Sequence, residues 1–372
     1  MKILALNAFH SGSHKAFIDG LIRHSIHEWT LLTLEGKFWR WRMSHAAISF
    51  SEQIKNLEAE DWDIIFCTDM MNAAELKALL PASLQDTPII VYFHENQLIY
   101  PSSKHEKHTS QLIMKNFSSC LAADHVWFNS KYHMTCFYTE LTKWLKGMPD
   151  NQPDHMVDAL RKKSSVQYPG IVPLNEQTNR TFNEIPVITW ASRWEYDKNP
   201  TVFFNGLKIV QDKGYDFKLN IIGELPRNYP ECFDDAKSIF KNQILNFGYQ
   251  EAQSDYFDIL NSTDIIASTA NHEFFGIAIV EAINSGAIPI LPHRLSYPEV
   301  VGTDYDCLFY HKKNLEEESF ADTLIKLISL LRDDAIYNEI KSSLIKRTTV
   351  YQWTNRCLEM DQLLAKIGEK NA

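Results

Sequence analysis

Pro88-Ile89-Ile90-Val91-Tyr92-Phe93 sets six apolar side chains in a row, without the polar alternation of a strand that has one face in water. A run this short and this apolar suits a strand buried on both faces, as in a parallel sheet covered by helices. Similar runs stand at 3–6, 63–67 and 124–128, and helical periodicity appears between them at 15–24, 46–57, 73–80, 110–121 and 132–145. That alternation predicts a doubly wound α/β unit. It restarts further on, with apolar runs at 187–191, 218–222, 243–247, 264–268 and 288–291 and helical stretches at 200–211, 255–261 and 276–285. Three more helical stretches follow at 315–331, 334–344 and 355–367. The expected architecture is two Rossmann-like doubly wound domains, residues 1–168 and 185–349, joined by a linker at 169–184 that opens on Pro169-Gly170 and is otherwise mostly polar. Two such sheets facing one another would meet across an interdomain cleft, so site residues are expected just after strands.

Composition agrees with two soluble domains. The 372 residues exceed what one core usually holds, and 45% hydrophobic with 23% charged residues excludes a disordered or collagen-like chain. Thirty-seven Lys and Arg against 47 Asp and Glu leave a formal charge of −10, which counts against nucleic-acid binding over the whole surface and leaves a local basic patch open. Six cysteines are scattered without a C-x-x-C pair, so neither a disulfide framework nor a zinc site is indicated and a reducing cytoplasm fits. The opening apolar run is broken by Asn7 and His10 too early for a signal peptide, and no apolar stretch of membrane-spanning length follows. A cytoplasmic protein that does not meet a membrane is expected. The sequence does not distinguish a monomer from a dimer.

The sharpest local signal is His272-Glu273-Phe274-Phe275-Gly276-Ile277-Ala278-Ile279-Val280-Glu281. It follows a strand and enters a helix expected to begin near Phe275. Free N–H groups at such a helix start favour an anion, so Phe275, Gly276 and Ile277 are candidates for holding a diphosphate. Glu273 beside it and Glu281 two turns on could each bind sugar hydroxyls. The plainer reading is a carboxylate complementing the helix dipole and one solvated glutamate. A second constellation, Arg193-Trp194-Glu195-Tyr196-Asp197-Lys198, follows another strand. Arg193 and Lys198 could neutralise charge on a departing diphosphate, or could be surface cations beside Glu195 and Asp197.

These two motifs, in this order and after these strands, resemble those of the retaining GT-B glycosyltransferases of family 4, whose E-x7-E and R-x4-K elements bind a nucleotide-sugar. Ile221-Ile222-Gly223-Glu224, Phe128-Asn129-Ser130 and Tyr168-Pro169-Gly170-Ile171 match as well. The resemblance implies that Gly12 in Ser11-Gly12-Ser13-His14, His94 and Gly223 line the donor site, and that the C-terminal helix 350–372 returns to the first domain. Within that family, Tyr92-Phe93-His94-Glu95-Asn96-Gln97-Leu98-Ile99-Tyr100-Pro101 and Gly36-Lys37-Phe38-Trp39-Arg40-Trp41-Arg42 are similar to the queuosine-tRNA mannosyltransferases. That implies transfer of mannose from GDP-mannose to the cyclopentenediol of queuosine at the wobble position of aspartate tRNA, with retention. Donor base, sugar and acceptor come from the resemblance alone.

On their own terms, Trp39 and Trp41 interleaved with Lys37, Arg40 and Arg42 offer flat faces for unstacked bases and cations for phosphates. A tryptophan pair in a core under arginine stems would show the same pattern. Lys104, with His105, Lys107 and His108, and Arg161-Lys162-Lys163 could extend a phosphate track. Two D-x-D spacings, Asp61-Trp62-Asp63 and Asp304-Tyr305-Asp306, are expected to be solvated. No metal is expected, since cationic side chains and helix N–H groups can take its place at a diphosphate, and GDP-mannose is a co-substrate rather than a cofactor. Two rivals stay open: a GT-B transferase with a lipid or small carbohydrate acceptor, and a noncatalytic module that binds RNA or a nucleotide.

Overall fold

The apolar run opening at Pro88 becomes the strand Ile89–Phe93, buried at every position. The structure is a computed structural model and describes residues 1–57, 61–100, 110–173, 181–311 and 315–369. The chain divides into two units, Met1–Gly170 with Trp353–Ala372, and Ile171–Gln352.

In the first unit the strands are β1 (Lys2–His10), β2 (Glu28–Glu35), β3 (Ile64–Thr68), β4 (Ile89–Phe93), β5 (His125–Phe128) and β6 (Ser164–Val166). They form one parallel sheet in the order β2-β1-β3-β4-β5-β6. The direction of winding reverses between β1 and β3, the point at which folds of this kind carry their ligands. The second unit contributes β7 (Val187–Ala191), β8 (Lys218–Ile222), β9 (Ile244–Gly248), β10 (Ile265–Ala267), β11 (Ile288–Pro292) and β12 (Phe309–Tyr310). Its parallel sheet runs β12-β11-β10-β7-β8-β9, with the reversal between β7 and β10.

Several elements lie outside the sequence expectation. β2 is half-exposed along most of its length, because an edge strand keeps one side unpaired and needs no continuous apolar run. β6 is Ser164-Ser165-Val166, too short and polar to stand out. The helices Met156–Lys162 and Cys232–Ile239 were also not anticipated. The helix expected at 46–57 begins earlier, as Trp39–Lys55, so most of the Lys37–Arg42 segment is its first turn.

The final helix, Trp353–Glu369, belongs to the first unit. Its Trp353, Cys357, Met360 and Leu364 pack with Ile3, Ala5, Phe17, Phe66, Tyr92 and Trp127 in one core cluster. Gly20 and Gly170 admit the Trp353 ring: a Cβ at either would lie 2.3 or 2.1 Å from it. Asp361 ties the helix to the loop before β2, accepting from Ser25 Oγ at 2.6 Å and from Ile26 N at 3.0 Å.

Candidate functional site

Arg193 and Lys198 follow β7, and Glu273 follows β10, so the three stand at the reversal point of the second sheet. Lys198 lies in a short 3-10 turn (Tyr196–Lys198) and is 7% exposed. Its Nζ donates to His272 O at 2.8 Å and to Glu273 Oε2 at 3.4 Å, and stands 3.2 Å from Asp197 Oδ2. Burial alone would lower the Lys198 pKa, but Glu273 and Asp197 outweigh it and hold the ammonium above its ordinary value. Burial would likewise raise Glu273, yet Lys198, His272 and the Phe275 N–H hold it below the usual carboxylate value. His272 is pushed down to about 4 by burial and by Lys198, and is therefore neutral. A charged cation thus sits fixed between two carboxylates, and removing Lys198 would leave Asp197 and Glu273 without their shared cation. Arg193 is more open, with Nη1 3.3 Å from Glu195 Oε1.

The backbone holding this cluster is itself constrained. Asn199 adopts φ 53° and the helix Pro200–Asp212 starts directly after it. Thr269 Oγ1 donates to the Lys198 and Asn199 carbonyls at 3.0 Å each, and Asn271 N to Asp197 O at 2.8 Å. Gly223, after β8, has φ 148°, and a Cβ there would stand 1.8 Å from Ser192 O. Only glycine lets the loops after β7 and β8 approach so closely.

The helix expected to start near Phe275 is Ile277–Asn284, with Gly276 in the left-handed region (φ 85°) as its N-cap. Phe275 therefore precedes the helix and is buried, with its ring 5.2 Å from that of Tyr351. The first-turn N–H groups of Ile277 and its neighbours remain oriented for an anion. Glu281, two turns on, accepts from the Tyr256 hydroxyl at 2.7 Å. Burial pushes its carboxyl up to about 7, against the opposing pull of that hydrogen bond. Tyr256 was not foreseen, because nothing in the spacing of the helix Gln253–Ser262 marks one tyrosine as a partner for a carboxylate 25 residues away.

In the first unit, Gly12 (φ 49°) begins the helix Gly12–His24 after β1, with Ser11 as N-cap. His94 follows β4. Its carbonyl accepts from Asn129 Nδ2 at 2.9 Å, and its ring packs 4.1 Å from that of His14 and 4.7 Å from that of Tyr92. Burial, with His14 and His133 nearby, lowers the His94 pKa well below its ordinary value, so the ring is neutral. Asn129 Oδ1 stands 2.7 Å from His133 Nδ1, and His133 Nε2 stands 2.9 Å from Asn96 Nδ2. Asn96 Oδ1 accepts from Leu98 N and Ile99 N. With both amides so committed, His133 carries its proton on Nδ1, and the chain of bonds fixes the loop after β4.

Among the described residues, one group could hold a metal ion: one ligand atom each from His14, Asp69 and His94 lies within 4.8 Å of the others. Two imidazoles and a carboxylate suit a borderline divalent cation, and the same spacing suits a buried water with three partners. Asp63 Oδ2 instead accepts from Lys2 N at 2.7 Å, and Asp304 pairs with Arg347 at 3.3 Å.

The Lys37–Arg42 segment splits. Trp39 packs against the core, with the Arg40 guanidinium 5.0 Å from its ring. Trp41 is 59% exposed, stacked on His45 at 4.5 Å and 11°. Arg42 Nε donates to Glu35 O at 3.0 Å, and Lys37 Nζ lies 3.1 Å from Glu35 Oε2. Lys104, with His105, Lys107 and His108, lies outside the described residues. Of the third basic run, Arg161 lies over the Tyr138 ring at 4.9 Å, and Lys163 Nζ donates to the Leu121 and Ala123 carbonyls. Those two are engaged within the fold.

Residues 2–171 match the family model "tRNA-queuosine alpha-mannosyltransferase N-terminal", and residues 173–342 match "Glycosyl transferases group 1". The Drosophila melanogaster tRNA-queuosine alpha-mannosyltransferase is 34% identical over 348 residues, covering 91% of this chain and 89% of the fly protein. Among solved structures, the catalytic domain of starch synthase IV from Arabidopsis thaliana, bound to ADP and acarbose, superposes with a TM-score of 0.73 at 12% identity over 99% of both chains. Anabaena HepE in complex with UDP gives 0.68 at 13% identity over 98% of this chain and 100% of that one. Those two likenesses speak to the fold, which is GT-B. The matches of both halves and the identity to the fly protein over nearly all its length agree: the chain belongs to the tRNA-queuosine alpha-mannosyltransferase family of GT-B glycosyltransferases.

Proposed function

We propose that the protein transfers mannose from GDP-mannose to the cyclopentenediol of queuosine at the wobble position of aspartate tRNA, with retention. The observation that carries the reading is the Lys198–Glu273 pair beside a helix start at the reversal point of the second sheet, in a chain whose first unit matches the N-terminal domain of the tRNA-queuosine alpha-mannosyltransferases. Arg193 and Lys198 stabilise the diphosphate as the bond to the sugar breaks, together with the N–H groups around Gly276 and Ile277. Glu273 accepts from mannose hydroxyls, and Glu281 from those of the ribose. Gly223 and Phe275 complete the donor's surroundings in the second unit, and Lys37, Trp39, Arg40, Trp41 and Arg42 of the first, with Lys104, engage the tRNA. In this reading the two cations and the helix N–H groups take the place of a metal at the diphosphate. No helix among the described residues is long and apolar enough to cross a membrane, and a tRNA acceptor would suit a cytoplasmic enzyme.

The test supplies purified protein with GDP-mannose and queuosine-containing tRNA. One GDP should be released per hexose added to the wobble nucleoside, and the added sugar should be removable by an α-specific mannosidase. Binding without turnover, a preference for a uridine donor, or transfer to a lipid or free carbohydrate instead would overturn the reading.

A further inference from the structure

At the start of the helix Trp39–Lys55 three local rules of stability are broken together. Phe38, its N-cap residue, has φ 53° and ψ 53°, makes no side-chain capping bond, and is 76% exposed. A bulky L-residue in the left-handed region is an outlier that costs backbone free energy, and an exposed ring returns none of it through burial. Trp41, one turn on, is also mostly exposed, its ring supported on one face by His45. The first turn carries Arg40 and Arg42 and no acidic residue, placing cations at the positive end of the helix dipole. Arg42 is engaged with the Glu35 carbonyl and Arg40 lies over the Trp39 ring, but burial does not repay the strained, exposed Phe38, and a single ligand with aromatic faces and negative charge would suit the exposed rings and the cations together.

We infer that Phe38 and the His45-backed Trp41 ring form a two-ring platform on which unpaired bases of a single-stranded RNA loop stack, with Arg40 and the helix start taking the adjoining phosphates. The inference rests on the tRNA reading above and adds Phe38 and His45 to it. The platform lies within the residues that match the N-terminal domain of the tRNA-queuosine alpha-mannosyltransferases. In a chain of net charge −10, a cationic turn interleaved with exposed rings is suited to single-stranded nucleic acid. It matches an apolar protein partner less well.

Phe38→Gly tests the assignment without a folding penalty, because glycine suits the left-handed backbone. Affinity for a queuosine-containing anticodon stem-loop is measured by fluorescence anisotropy, and affinity for GDP by calorimetry. The expected result is RNA binding weaker by about 5- to 150-fold, the range of one lost base–aromatic stack, with GDP binding unchanged and the melting temperature equal or higher. Phe38→Asn, which also tolerates that backbone, should behave alike, and Phe38→Trp should retain RNA affinity. Wild-type RNA affinity in Phe38→Gly and Phe38→Asn overturns the platform while leaving the tRNA reading intact. A wild-type protein that binds GDP and no RNA overturns both. An oligomer that Phe38→Gly dissociates, with RNA affinity unaltered, shows a protein interface in its place.

Discussion

Burial brings the Glu281 carboxyl close to neutral pH. Its folded value of about 7 stands above the ordinary 4.5, so near pH 8 the folded protein carries a buried charge that the unfolded chain keeps in water. Stability from this group therefore grows as pH falls through about 7 towards 4.5. Glu281→Gln removes the burden: its melting temperature should exceed wild type at pH 8, and the gap should close near pH 5. Donor binding runs the opposite way, because the ionised carboxylate can accept from two ribose hydroxyls. The KM for GDP-mannose should rise as pH drops below about 7, and a flat profile would remove Glu281 from the donor site. Tyr256→Phe deletes the hydrogen bond that opposes the shift, so the same limb should move to higher pH with kcat little altered. Lys198→Ala acts on turnover instead, since its charge matters most as the diphosphate departs. A loss of ~10²–10³ in kcat is expected, measured as GDP release at saturating donor. Wild-type turnover would refute its role.

Elements decide where these residues stand, and the loops after β7 and β8 are held together by the absence of one side chain. Gly223→Ala would drive a methyl against Ser192 O and strain a backbone at φ 148°. Denaturant unfolding should show a loss of more than ~1 kcal/mol, and kcat/KM should fall because Ser192 precedes Arg193. An unchanged midpoint would show that the loop moves aside freely. The same scale shows what was legible in the chain. β3, β4 and β5 are apolar runs buried on both faces, and such runs announce themselves. β2 and β6 do not, since the sheet's edges demand less apolar surface. Arg193, Lys198 and Glu273 stand out as candidates in the sequence because each closely follows a strand. Tyr256 and the His133–Asn129–Asn96 chain were not, because a hydrogen bond between distant segments leaves no period in the sequence. Phe38 does not stand out between Lys37 and Trp39, since a left-handed backbone at a phenylalanine has no compositional mark.

At the scale of the whole molecule, the chain leaves the first unit at Gly170, builds the second, and returns at Trp353 to finish the first. The first unit is thus incomplete until its last residues are made, and its sheet has one face covered by Phe17 and its neighbours together with the returning helix. Trp353 is 3% exposed and wedged where Gly20 and Gly170 leave room, so truncating it opens a cavity the surroundings cannot refill. Trp353→Ala should cost ~3–5 kcal/mol. That cost should fall on the first unit alone, because every core contact of the helix lies there, while Ile171–Gln352 has its own sheet and core. Calorimetry should accordingly show one transition moved down and one unmoved. Arg193, Lys198 and Glu281 lie in the unmoved unit, so between the two transitions GDP should still bind while anticodon stem-loop affinity is lost. A single cooperative transition that shifts as one, carrying GDP binding with it, would show instead that the two units unfold as one body.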